Sequence, residues 1–184
     1  IISKYKNTNI LLVEPVPYNY KILSNKFKDY KNIFICTKAV FSKNQKKTFY
    51  FVKEASIPKL GKHWASGIGS FDKQHIINHK SKRFNIQDID IDSIEIDFIT
   101  FDNLIKEYEI KKIDSLQVDV EGAEYEILNT INFKNIQINS IQFESKHFDG
   151  TFTVGPKLKL IKEKLIKNGY KLTQLDEENI IAKK

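Results

Sequence analysis

Four short apolar runs, each five to seven residues long, constrain this chain most: NILLVE at 9–14, NIFIC at 32–36, DSLQVDV at 114–120 and SIQFE at 140–144. Continuous apolar runs of this length predict strands buried on both faces, as in a parallel sheet. Between them the spacing turns helical. Tyr20, Leu23, Phe27 and Tyr30 predict a helix over 18–30, after Pro15 and Pro17 stop the first strand. Leu158, Ile161, Leu165 and Ile166 predict an amphipathic helix over 156–168, ended by Gly169. Thr100 precedes a helix over 103–108 as its N-cap region, and 123–130 reads as a helix with Tyr125 and Leu128 inward. Further strands fall at 48–52 and within 93–99, and the tail 170–175 and 179–182 reads as two strands joined by the acidic turn at Asp176. Strand, helix and strand in alternation give a doubly wound α/β class. With 184 residues, the expectation is a single domain over 1–184. The segment 56–80 lacks a period and reads as a long loop with room for a short helical turn.

Composition removes several function classes. Hydrophobic residues are 41% and aromatics 12%, enough for a core. No apolar run approaches the ~18 residues of a membrane helix, so no membrane span is expected. The single cysteine, Cys36, excludes an internal disulfide framework and any Cys-rich zinc module. It fits a reducing compartment, and the expected location is cytoplasmic. Net charge is +7, but Arg83 is the only arginine among 30 basic residues and the lysines are dispersed. Base readers and phosphate clamps favour the planar fork of Arg, so no nucleic-acid partner is expected.

The acids at strand ends are the candidate chemistry. Glu14 closes the first run. A carboxylate there either accepts two ribose hydroxyls of a nucleoside or is an exposed strand-end acid. Asp119 and Glu121 lie two apart, and in strand geometry they would share a side at the carboxyl edge, where α/β folds bind ligands. Gly122 permits a sharp turn there and keeps a ligand face open. Glu124 falls in the first turn of the next helix, where the macrodipole favours an acid. Glu144, with His147 behind it, approaches the same edge if the two strands are neighbours. Clustered acids serve as a general base or hold a hard cation; a few carboxylates without geometry assign no metal ligand, and the metal reading is none. His147 is a base candidate for a hydroxyl. His75 and His79 have helical metal spacing, but neither the intervening Glu of a zinc protease nor a third ligand lies nearby, so His63, His75 and His79 read as surface residues. The glycine-rich stretch 66–70 is not a phosphate turn; it reads as a flexible substrate loop. Cys36 reads as a buried hydrophobe.

Together these motifs form a set that resembles the FkbM-type methyltransferases. The set comprises Val13-Glu14-Pro15-Val16-Pro17 before a helix carrying Leu23 and Asn25, Ala39-Val40-Phe41-Ser42 after the second strand, and Phe98 to Asp102 before a helix. The most specific element is the run from Ile113 to Leu128, with its ordered Asp119, Glu121, Gly122 and Glu124. The resemblance implies a Rossmann-like class I fold, a three-layer sandwich whose seven-stranded sheet is mostly parallel with one antiparallel strand. It implies S-adenosylmethionine as cofactor and transfer of its methyl to a hydroxyl of a sugar, glycan or secondary metabolite. By position, Glu14 would bind the ribose, Lys38 and Ala39 would lie along the adenine, and Asp119 and Glu121 would stand near the methionine end and the acceptor. The loop around 65–71 would border the site. Asp119 is expected to position the acceptor, with Glu121 or His147 as the base.

One departure stands out. The family's first strand and glycine-rich turn should precede Glu14, yet only residues 1–9 stand there, without glycine, and the chain opens at Ile1. The expectation is that this N-terminal part is missing and that this polypeptide alone binds the cofactor weakly. Two other functions compete: a nicotinamide-dependent oxidoreductase, which also uses a strand-end acid, and a degenerate, non-catalytic binding module.

Overall fold

The computed structural model describes residues 8–80 and 85–184. The segment in which the first strand and glycine-rich turn were sought lies mostly outside these residues. The chain opens with β1 (Ile10–Val13), α1 (Pro17–Phe27) and β2 (Ile33–Cys36). β1 and β2 pair in parallel, Leu12 opposite Ile35. Pro17 suits the first helical turn because its missing N–H would have no partner there.

The middle of the chain contributes β3 (Ala39–Val40), β4 (Gln45–Val52), α2 (Ile57–Leu60), β5 (Gly69–Ser70), α3 (Lys73–Ile77), β6 (Ile91–Ile99) and α4 (Phe101–Glu107). The last part supplies β7 (Lys112–Val118), α5 (Glu124–Thr130), β8 (Gln137–Glu144), α6 (Pro156–Lys167), β9 (Lys171–Gln174) and β10 (Asn179–Lys183). Thr100 caps α4 as expected, its Oγ1 accepting the Asn103 amide at 3.3 Å.

The described strands form three sheets, with orders β1-β2, β3-β6-β4-β5 and β7-β8-β10-β9. The class is mixed α/β, and the expected single, mostly parallel sheet is corrected. β1 with β2, β3 with β6 and β7 with β8 are parallel; β4 is antiparallel to β5 and β6, and β10 to β8 and β9. For β9 and β10 the cause is connection length: their turn is too short for a crossover, so they must run antiparallel. Asp176 ties that turn by accepting the amides of Glu178 at 2.9 Å and Asn179 at 2.8 Å.

The largest core lies between the β7-β8-β10 sheet and helices α4, α5 and α6, with Ile138, Ile141, Phe143, Ile161 and Leu165 essentially without exposure. Residues 56–80 are not the open loop their composition predicts. They carry α2, β5 and α3, and Ala65, Ile68 and Ile76 form a second core with Val52, Ile86 and Ile91. Within this segment β5 pairs with β4, Tyr50 opposite Ser70, so the glycine-rich stretch 66–70 is partly sheet. Cys36 is buried beside Ile99 and Leu104, as its apolar strand predicts.

Candidate functional site

Parallel pairing places Val118 opposite Phe143, so β7 and β8 deliver their carboxyl ends to one edge. Asp119, Glu124 and Glu144 meet there, each offering an oxygen within 4.8 Å of the others. The expected approach of Glu144 to Asp119 is met. The expected shared side of Asp119 and Glu121 is corrected, because β7 stops at Val118 and the next residues turn. Glu121 has φ 52 and Gly122 φ 103, two consecutive left-handed residues. Asp119 is exposed on one side of this turn, and the Glu121 side chain is 15% exposed on the other.

Glu124 holds the turn in shape. It is fully buried, with Oε1 accepting the Val120 amide and Oε2 the Gly122 amide, both at 3.0 Å. Burial pushes its carboxyl up to about 7, against the pull of those amides. Its position at the start of α5 was read as helix electrostatics; its main contacts are these backbone donors.

Glu121 faces three histidines. Its Oε2 lies 3.2 Å from His147 Nε2, 3.5 Å from His79 Nε2 and 4.0 Å from His75 Nε2. The reading of His75 and His79 as surface residues is overturned: they are 7% and 0% exposed, and His147 is 1% exposed. His63 does stay on the surface. The rings stack edge to face, His75 5.1 Å from His79 and 5.0 Å from His147 between centroids. Gly122 packs over His75, where a Cβ would come within 2.8 Å of Cε1. The face it keeps clear is therefore a histidine's, not an open ligand face. Burial raises the Glu121 carboxyl, but the three imidazoles outweigh this and hold it well below the usual range. Burial lowers His147, partly offset by Glu121. The His75 and His79 spacing was the available signal. It was discounted because the partner carboxylate lies far along the chain.

Glu144 closes the edge. It pairs with Lys146, which also reaches Glu178 at 2.8 Å. Burial pushes the Glu144 carboxyl up to about 8; Lys146 opposes this, while Glu121 and Asp119 add to it.

The remaining predicted residues lie at the ends of β1 and β2. Glu14 is half-buried and accepts the Val16 amide at 2.8 Å, and burial raises its carboxyl despite that bond and one from Asn19. Lys38 pairs with Glu107 at 2.5 Å. Ala39 is buried, paired with Phe98 across β3 and β6. Of these residues Lys38 lines an open groove of about 370 Å³, together with Pro15 and Thr37 and with Ile94 to Asp97; Glu14 and Ala39 are not among its lining residues. Residues 56–80 touch both regions. The Ser66 carbonyl accepts from Asn19 at 2.8 Å and Tyr18 at 3.3 Å, while His75 lies against Gly122.

Among the described residues no helix is long and apolar enough to cross a membrane. Neither the curated proteins nor the solved structures contain a match to this chain. One family matches, the methyltransferase FkbM domain, over residues 3–172. That match spans nearly the whole sequence and includes both the Glu14 strand end and the Asp119 to Glu124 turn: the chain belongs to the FkbM methyltransferase domain family.

Proposed function

We propose that this chain is an S-adenosylmethionine-dependent O-methyltransferase acting on a hydroxyl of a sugar, glycan or secondary metabolite. The observation that carries the reading is the groove at the carboxyl ends of β1 and β2, in a chain of this family. Ligands of α/β folds bind at that edge, and the volume suits a nucleoside. Glu14, one residue before the lining Pro15, is assigned to the ribose: a carboxylate has about four lone-pair sites, and the Val16 amide takes one. Lys38 borders the groove where the adenine would lie, and Ala39 follows it into the core.

When bound, the cofactor supplies an electrophilic methyl group on a sulfonium sulfur. The protein must hold the acceptor oxygen in line with that methyl and exclude water. A C–O bond forms as the C–S bond breaks, and the acceptor hydroxyl gives up its proton. Asp119 is the exposed carboxylate at the edge and is assigned to orient the hydroxyl and take that proton. Glu121 and His147, the base candidates of the sequence, are committed to each other at 3.2 Å, and their role in this reading is to back the edge.

Calorimetry of the full-length gene product with S-adenosylhomocysteine tests the assignment. Glu14→Gln is expected to weaken binding at least ~10-fold, since two hydroxyl contacts to a charged acceptor are involved. Binding unchanged in that variant, or a preference for NADH, would overturn the reading.

A further inference from the structure

Three of the four histidines of this chain converge on one carboxylate: His75 and His79 come from α3 and the turn after it, His147 from the stretch following β8, and Glu121 from the β7–α5 turn. His75, His79, Glu121 and His147 each offer a ligand atom, and these atoms lie within 4.8 Å of one another. This convergence does not need the methyl-transfer reading.

The far side of each ring fixes what its near side presents. His79 Nδ1 faces the His75 carbonyl oxygen at 2.9 Å and must donate to it, which leaves the lone pair of the neutral ring on Nε2. His75 Nδ1 meets the Thr151 hydroxyl at 3.0 Å; a hydroxyl can accept from Nδ1 as well as donate to it, so this contact is compatible with the same tautomer. An anchored Nδ1–H with Nε2 aimed inward is how ligating histidines are held. His147 is built the other way. Its Nδ1 accepts the Phe152 amide at 2.9 Å, so its proton sits on Nε2, directed at Glu121.

Nε2 of His79, Nε2 of His75 and the Glu121 carboxylate thus face one point inside the protein. His75 Nε2 is buried without a hydrogen-bond partner, a cost of ~1–3 kcal/mol if nothing binds there. Ligands ~2.1 Å from a tetrahedral ion stand ~3.4 Å apart. The distances from Glu121 Oε2 to His79 and His75 Nε2, 3.5 and 4.0 Å, need closures of ~0.1 and ~0.6 Å to reach that spacing. Imidazole-rich donors select a first-row transition ion over Mg²⁺ or Ca²⁺, which take oxygen.

We propose that His75, His79 and Glu121 bind a divalent transition-metal ion, Zn²⁺ in the first instance, with His147 donating from Nε2 to orient the Glu121 carboxylate. The ion pins residues 56–80 to the β7–α5 turn and thereby fixes the edge that carries Asp119. The three ligands leave a fourth position, which water can fill.

The test is Zn²⁺ binding to the chelator-stripped, full-length protein, by competition with a chromogenic chelator. One Zn²⁺ per chain with a dissociation constant below ~1 µM is expected, together with a higher Tm for the loaded protein. His75→Gln and Glu121→Gln should each weaken binding at least ~100-fold and His147→Gln ~10–100-fold, while His63→Gln should leave it unchanged. Absence of stoichiometric binding by the wild type, or equally tight binding in His75→Gln and Glu121→Gln, would overturn the site. If those variants fail to fold, Co²⁺ in the wild type decides: a four-coordinate N/O absorption spectrum supports the site, and its absence refutes it. None of these measurements involves a methyl donor. A chain that binds Zn²⁺ but not S-adenosylhomocysteine would keep this site and lose the proposed function.

Discussion

Replacing Gly122 with alanine separates two costs that the structure assigns to one position. At φ +103 an L side chain is strained, and the new Cβ would stand 2.8 Å from His75 Cε1 and 3.0 Å from its Nδ1. Ordinary carbon contacts lie near ~3.5–4.0 Å, so the ring or the backbone must move. The ring has little room, with Nδ1 against Thr151 and its faces and edges against His79 and His147. Left-handed strain costs ~1–2 kcal/mol and overpacking a further ~1–3 kcal/mol. Gly169 supplies the control: it has φ +87, and a Cβ there meets nothing within 4 Å. Gly169→Ala should therefore carry the backbone cost alone. At ~2–4 °C per kcal/mol for a chain of this size, Gly122→Ala should lower Tm by ~4–20 °C and Gly169→Ala by ~2–8 °C, the first always the larger. Thermal melts followed by circular dichroism in the same buffer read the difference. A Gly122→Ala protein no less stable than Gly169→Ala would refute the argument that its backbone is fitted to the histidine ring.

Two further outcomes concern the edge and the acid response. Asp119→Ala should abolish methyl transfer in the full-length enzyme with an unchanged circular dichroism spectrum, and Asp119→Asn should retain acceptor binding but lose turnover; most activity surviving in the alanine variant would reject the role. Asp90 is buried and its carboxyl is lowered: burial acts upward, but Lys59 at 2.5 Å, Ser56 Oγ at 2.8 Å and the Gln87 amide at 3.0 Å outweigh it. A depressed folded value stabilises above the ordinary value of 3.8 and is lost as pH falls below it. Urea melts from pH 6 down to pH 2 should then show a steeper loss of stability for wild type than for Asp90→Asn, and parallel curves would remove Asp90 from the account.

The sequence disclosed what local period and local polarity encode. The strand ends at Glu14, Cys36 and Glu144, the cap at Thr100 and the Asp176 turn all follow from short-range chemistry, and the structure keeps them. Strand direction was less legible. The connection from β4 to β6 is long enough for either direction, and an apolar run does not record which is taken. Residues 56–80 were hidden because Ile57, Trp64, Ile68 and Ile76 follow neither a period of 2 nor of 3.6, though all pack around one core. The histidine cluster was hidden for a related reason: a ligand set assembled across three segments has no spacing of its own.

The Asp119 to Glu124 run shows why acids close in sequence take different tasks. Two successive left-handed residues, Glu121 and Gly122, reverse the chain after β7, and a non-glycine residue in that region costs ~1–3 kcal/mol. Glu124 offsets this from inside the turn. Its two oxygens accept the amides of Val120 and Gly122, on either side of Glu121, and each such bond is worth ~0.5–1.5 kcal/mol net. With the backbone clamped on both sides, the Glu121 side chain is sent toward the histidines while Asp119 remains exposed at the edge. Had the run continued as a strand, Asp119 and Glu121 would have shared one face and repelled each other there. The glycine and the buried third acid are what allow one short turn to serve a buried cluster and an exposed edge together.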